Sequence, residues 1–140
     1  MKTYALLPLS VVLVLALAAC ELDDKDKEGL KKDCSAPPAA LKSAPRLPGN
    51  FPRAQGIVYT AVRKDGPTTI ASGYLAQTIG PAHDTYSQAV KGAPGYSVTK
   101  EEQDAADAEV NFAGGGNTGQ VKLLQTCKAR TSVTITIRPA

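Results

Sequence analysis

Aromatic side chains are scarce in this 140-residue chain: five Tyr, two Phe and no Trp, 5% of the whole. A core must therefore rest on Val, Ile, Leu and Ala. There is one histidine, His83, and the three cysteines show no CxxC spacing, which leaves no zinc ligand set. No GxSxG elbow is present, so the usual nucleophile of an α/β-hydrolase is missing. Neither sign of charge dominates: sixteen Lys and Arg against 13 Asp and Glu give a formal +3, too mild to name nucleic acid as a partner. The length suits one domain and leaves no room for a multidomain enzyme. Hydrophobic residues at 43% and charged residues at 21% are compatible with a packed body rather than wholesale disorder.

What is present begins at the N-terminus. Lys2 is followed by an apolar run from Ala5 to Ala19, broken only by Pro8 and Ser10. A positive start, an apolar stretch and small residues at its end have the order of a secretory signal, and polar residues follow too promptly for a permanent membrane helix. At its end stands Leu17-Ala18-Ala19-Cys20, which resembles the lipobox of bacterial lipoproteins. The resemblance implies a signal peptide over 1–19, cleavage before Cys20 and a diacylglyceryl thioether on its sulfur, with acylation of the freed amine. Two or more acyl chains, at about 0.8 kcal/mol per buried CH2, anchor durably. Ala16, Ala18 and Ala19 would also suit an ordinary signal cleavage, which needs no cysteine at the boundary.

With Cys20 lipidated, Cys34 and Cys127 remain as a pair, either bridged or as two free thiols; a metal pair is disfavoured. Residues 20–54 read as a tether. Glu21 to Asp33 mixes charges of both signs with few apolar groups, and Pro37, Pro38, Pro45, Pro48 and Pro52 favour extended geometry. The Pro-rich part has a second option, packing along the domain edge if Cys34 is bridged.

The body is expected from Gln55 to the end. Gly56 to Val62 and Thr68 to Ala76 form a hairpin around Arg63-Lys64-Asp65-Gly66-Pro67. Tyr86, Ala89, Val90 and Ala93 recur at helical spacing, so a helix is expected from Pro81 to Lys91. A short strand Tyr96 to Thr99 follows, then alternation at Ala108, Val110 and Phe112, a strand Gly119 to Thr126, and alternation at Val133, Ile135 and Ile137. Gly114 to Gly119 closes a hairpin. The order is ββα followed by a β-meander: an α+β domain with one helix packed on one face of an antiparallel sheet. From Phe51 onward, with Gly95-Tyr96 after the helix and Phe112 before the glycine run, the chain is similar to small actinobacterial-type lipoproteins. That resemblance brings no catalytic residues.

The glycine run lacks the Lys-Ser/Thr ending of a phosphate loop and reads as a hairpin tip. Glu101 to Glu109 lacks EF-hand spacing and reads as a charged loop rather than a calcium site. His83, Asp84 and Ser87 raise the question of a catalytic triad, but Asp84 is adjacent to His83 and points to another helix sector. The simpler account sets Asp84 at the helix N-terminus and His83 near the surface. Arg63, Lys64, Lys122, Lys128, Arg130 and Arg138 form a basic strand surface if they cluster.

These readings lead to a lipid-anchored, extracytoplasmic, non-enzymatic interaction or structural domain of the cell envelope. Its expected partners are the membrane, through lipid on Cys20, and an envelope protein or anionic polymer. No cofactor, metal or catalytic residue is assigned. The alternatives are a small-ligand pocket between helix and sheet, walled by Tyr59, Tyr74, Tyr86 and Phe112, and, more weakly, a hydrolase.

Overall fold

The computed structural model describes residues 30–140. The expected signal peptide 1–19, Cys20 and the charged part of the tether through Gly29 lie outside the described residues. Six strands form one antiparallel sheet: β1 (Val58–Asp65), β2 (Thr68–Leu75), β3 (Tyr96–Gln103), β4 (Asp107–Gly114), β5 (Asn117–Cys127) and β6 (Arg130–Pro139). Their spatial order is β1-β2-β6-β5-β4-β3. The helix α1 (Ile79–Gly92) carries the chain from β2 to the far edge, and the meander β3 to β6 returns until β6 pairs with β2. The fold of the described residues is therefore α+β, with a hairpin, the helix α1 and a four-stranded meander.

Period-two patterning places the core. Thr131, Val133, Ile135 and Ile137 on β6 face the same way as Val121, Leu123 and Gln125 on β5, all buried. Ala108, Val110 and Phe112 continue this inner face on β4. Helix α1 lies over β3, β4 and β5, burying Ile79, Ala82, Tyr86, Ser87 and Val90. It starts two residues earlier than the expected Pro81, because Ile79 N–H finds a buried acceptor in Gln125 Oε1 at 3.0 Å. Thr78 makes no side-chain cap, so β5 supplies one. Thr131 Oγ1 donates to Gln77 O just before the helix, at 2.9 Å. These two bonds account for a buried glutamine and a buried threonine on otherwise apolar strands.

Two sequence expectations need revision here. The strand expected to stop at Thr99 runs on to Gln103, and the charged loop expected over Glu101 to Glu109 shrinks to residues 104–106. Edge position explains it: β3 pairs only with β4, so charged side chains reach water while the backbone keeps its ladder. Both edge strands carry a register shift, between Tyr59 and Ala61 on β1 and between Val98 and Lys100 on β3. Such bulges twist an edge and discourage pairing with another chain.

The packed body also begins upstream of Gln55. Leu47, Phe51 and Ala54 are buried in the core, so the Pro-rich segment is a strap across the inner face beside α1. It is held at several points. Leu41 N–H donates to Tyr59 O on β1 at 2.8 Å. A 3-10 turn (Pro48–Asn50) meets β3, where Tyr96 O–H donates to Gly49 O at 2.9 Å. Gly49 has φ +64, and a Cβ there would press on Asn117, Gly115 and the Tyr96 hydroxyl, so only glycine suits this crossing. Phe51 then packs against Phe112 and Tyr96, with ring centroids 4.6 and 5.8 Å away. Two of the chain's few aromatic residues thus receive a third from the strap.

Candidate functional site

At one end of the sheet, the polypeptide entering the domain is clasped to the β5–β6 turn. Cys34 and Cys127 lie at disulfide distance, with Cα atoms 5.1 Å apart. Lys128 N–H donates to Lys32 O at 2.9 Å, Lys128 Nζ is 3.0 Å from Asp33, and Arg130 Nη2 donates to Ser35 O. The Arg130 guanidinium also sits 5.7 Å above the centre of the Tyr74 ring, a cation–π contact on the sheet face away from α1. The Lys128–Asp33 pair is exposed and contributes little.

A second cluster forms where α1 crosses β3. His83, Ser87 and Lys91 lie one turn apart on the helix and meet Glu101. Lys91 Nζ is 2.9 Å from Glu101 Oε2, and His83 Nε2 is 3.8 Å from Glu101 Oε1. The Ser87 hydroxyl and the Lys91 ammonium hold the Glu101 carboxyl below the usual carboxylate range, His83 adding to the effect. Both His83 ring nitrogens are enclosed without a hydrogen-bond partner, Nδ1 lying 3.5 Å from Asp84 Oδ1. His83 is only 13% exposed, so it does not lie at the surface as its sequence context suggests. Nor does Asp84 serve the helix N-terminus: because α1 begins at Ile79, Asp84 falls beyond the first turn, which holds no acidic residue.

The aromatic residues proposed as pocket walls do not surround one space. Tyr59, Tyr86 and Phe112 are packed core, while Tyr74 lies on the opposite sheet face beneath Arg130. Burial raises the hydroxyl pKa of Tyr86 strongly, and Tyr59 beside it adds to the shift. The six basic residues are likewise dispersed. Lys122 meets Glu109 at 3.7 Å on the central sheet, Lys128 and Arg130 belong to the clasp, and Lys64 is on edge strand β1. Among the described residues no group of three or more His, Cys, Asp or Glu is arranged to hold a metal ion.

A third feature was not anticipated from the sequence. Among the described residues no layer of helix covers the face of the sheet away from α1, and register brings Asn111 opposite Gln120, and Ala113 opposite Thr118, which is itself opposite Arg138. With Thr99 at the β3 bulge, these residues line a groove of about 300 Å3. Gln120 Nε2 donates to Glu109 Oε2 at 2.8 Å and lies 3.4 Å from Asn111 Oδ1. That bonding orients both amides and leaves Asn111 Nδ2 and Gln120 Oε1 without a protein partner among the described residues. Arg138 has no ion-pair partner there either. Only alternation could have hinted at this surface: Thr134, Thr136 and Arg138 are the polar half of the cleanest strand pattern in the chain.

Among the described residues no helix is long and apolar enough to cross a membrane. No protein-family model and no curated protein matches this chain.

Proposed function

We propose that this chain is a bacterial lipoprotein: a non-enzymatic domain held outside the cytosol by lipid on Cys20, presenting the uncovered face of its sheet to an envelope partner. The observation that carries the reading is the sequence Leu17-Ala18-Ala19-Cys20 at the end of a signal-like apolar run. Two further observations support it. Cys34 and Cys127 lie at disulfide distance, which suits an oxidising compartment. The single histidine has both ring nitrogens enclosed and without a hydrogen-bond partner, so neither is placed to take a proton from a serine.

The linker gives the anchor a physical reach. Cys34 stands fourteen positions after Cys20 in the sequence, and an extended chain of that length spans at most roughly 50 Å. The clasp at Cys34 therefore makes the β5–β6 turn the tethered end of the domain. Growth with radiolabelled palmitate tests the anchor: the chain takes up label, and Cys20→Ser abolishes it and releases the protein from the membrane fraction. Equal labelling of both forms would remove the reading.

A further inference from the structure

We infer that the groove formed by Thr99, Asn111, Thr118, Gln120 and Arg138 binds a carboxylate-bearing glycan. The inference deepens the envelope reading above, from which it takes the whereabouts of the ligand. Four observations converge on it.

The first is the chemistry of the walls. Two amides, two threonine hydroxyls and one guanidinium converge on about 300 Å3, with few apolar side chains among them. Such a site has little to offer a lipid or an apolar peptide anchor, whereas hydroxyls and amides match the alternating donors and acceptors of a sugar ring. The second is orientation. The bond from Gln120 Nε2 to Glu109 fixes which way the amide pair faces, so a donor, Asn111 Nδ2, and an acceptor, Gln120 Oε1, stand free and already ordered. Preorganised polar groups lose less entropy on binding.

The third is charge. Lys100 beside the groove is taken up by Glu102 at 2.6 Å, and Lys122 lies 3.7 Å from Glu109. Arg138 alone among the groove residues is a cation with no described counter-ion, and its planar fork suits a carboxylate. The fourth is position and spacing. The groove spans β3 to β6, whose neighbouring strands lie about 4.8 Å apart, so its polar groups form rungs that a linear polymer crossing the strands meets in succession. Thr118 and Gln120 are nine and seven residues along β5 from Cys127, which sets the groove roughly 23–30 Å from the tethered end. A lipid-held domain therefore carries it at the end of the sheet opposite the tether.

Calorimetric titration of the full chain in detergent with oligoglucuronate tests the inference, with neutral cello-oligosaccharide and polyglutamate as comparison ligands. Oligoglucuronate is expected to bind, at least tenfold more tightly than either comparison. Arg138→Gln weakens it at least tenfold, and Asn111→Ala at least threefold. Lys64→Gln, which removes one positive charge from the β1 edge, leaves the affinity within twofold. No binding of oligoglucuronate at millimolar concentration would overturn the inference. So would an undiminished affinity in Arg138→Gln, or polyglutamate binding as well as the sugar, which would reduce the site to a charge contact. Titration in detergent does not depend on acylation, so its failure is distinguishable from failure of the palmitate experiment.

Discussion

Gly119 stands directly opposite Phe112 in the β4–β5 ladder, and the Phe112 ring occupies the space that a side chain at 119 would need. Tyr96 stands in the same relation to Gly114, and Tyr59 lies opposite Gly73, where Val58 O and Ile57 fill the space instead of the ring. Three of the few aromatic residues thus lie across glycines of the neighbouring strand, a pairing that shields the glycine backbone and helps set register.

The first prediction concerns that pair. A Cβ at position 119 would run into Thr136 O and the Phe112 ring, neither of which can retreat from a paired strand and a packed core. Gly119→Ala should destabilise by about 1–3 kcal/mol, the range for overpacking. Gly66→Ala is the comparison: nothing lies within 4 Å of its Cβ position, and only its positive φ of 56° is strained. Urea unfolding of both variants checks this, and equal midpoints would show that the crowding at 119 is relieved by a shift of the strands.

The strap gives the second. Phe51 is 6% exposed and touches two other rings, so Phe51→Ala should cost about 3–5 kcal/mol, as for other large core truncations. A residue in a mere spacer would change stability by less than about 0.5 kcal/mol. Chemical denaturation of wild type and variant separates the two cases.

The clasp gives the third. Residues 34 and 127 are 93 apart in sequence, and a bridge closing a loop of that size stabilises by about 4.6 kcal/mol in the chain-entropy model. Guanidinium unfolding with and without reductant should show a loss of that order. Cys34→Ser should behave like the reduced protein and be insensitive to reductant.

The fourth concerns pH. Ser87 and Lys91 lower the Glu101 carboxyl pKa in the folded state relative to its ordinary value of 4.5. A depressed carboxylate pKa contributes stability above its unfolded value, and that contribution is lost as pH falls through the folded value. Because Glu101 is largely solvated, the contribution stays within the range of surface ion pairs, about 0.2–1 kcal/mol. Glu101→Gln should melt a few degrees lower than wild type near neutral pH, with the two curves merging well below pH ~4. A gap that persists in acid would assign the effect to packing.

Legibility from sequence followed pattern length. Val133, Ile135 and Ile137 alternate over most of a strand, and Tyr86 and Val90 repeat at the helix period, so α1 was readable to within two residues at each end and β6 to within three. The latter half of β3 was not, because an edge strand with Lys100, Glu101 and Glu102 exposed has no apolar beat. Leu47, Phe51 and Ala54 stand singly among prolines and glycines, with no period to betray a buried strap. Nothing local marks Gln125 as buried, because its partner, the amide of Ile79, is 46 positions away. The groove was hidden for a related reason. Asn111, Gln120 and Arg138 become neighbours only through ladder register, which composition does not encode.

Placement of β6 between β2 and β5 has a consequence for how the sheet is completed. As the chain emerges N-terminus first, the β1–β2 ribbon and the β3–β5 ribbon can each form, but no strand pairing joins them until the final strand arrives. Its partner on one side is some sixty positions upstream, a slow, non-local closure. A stop codon near residue 130 would therefore not trim the sheet at its margin; it would divide it down the middle and leave two raw edges open to wrong partners.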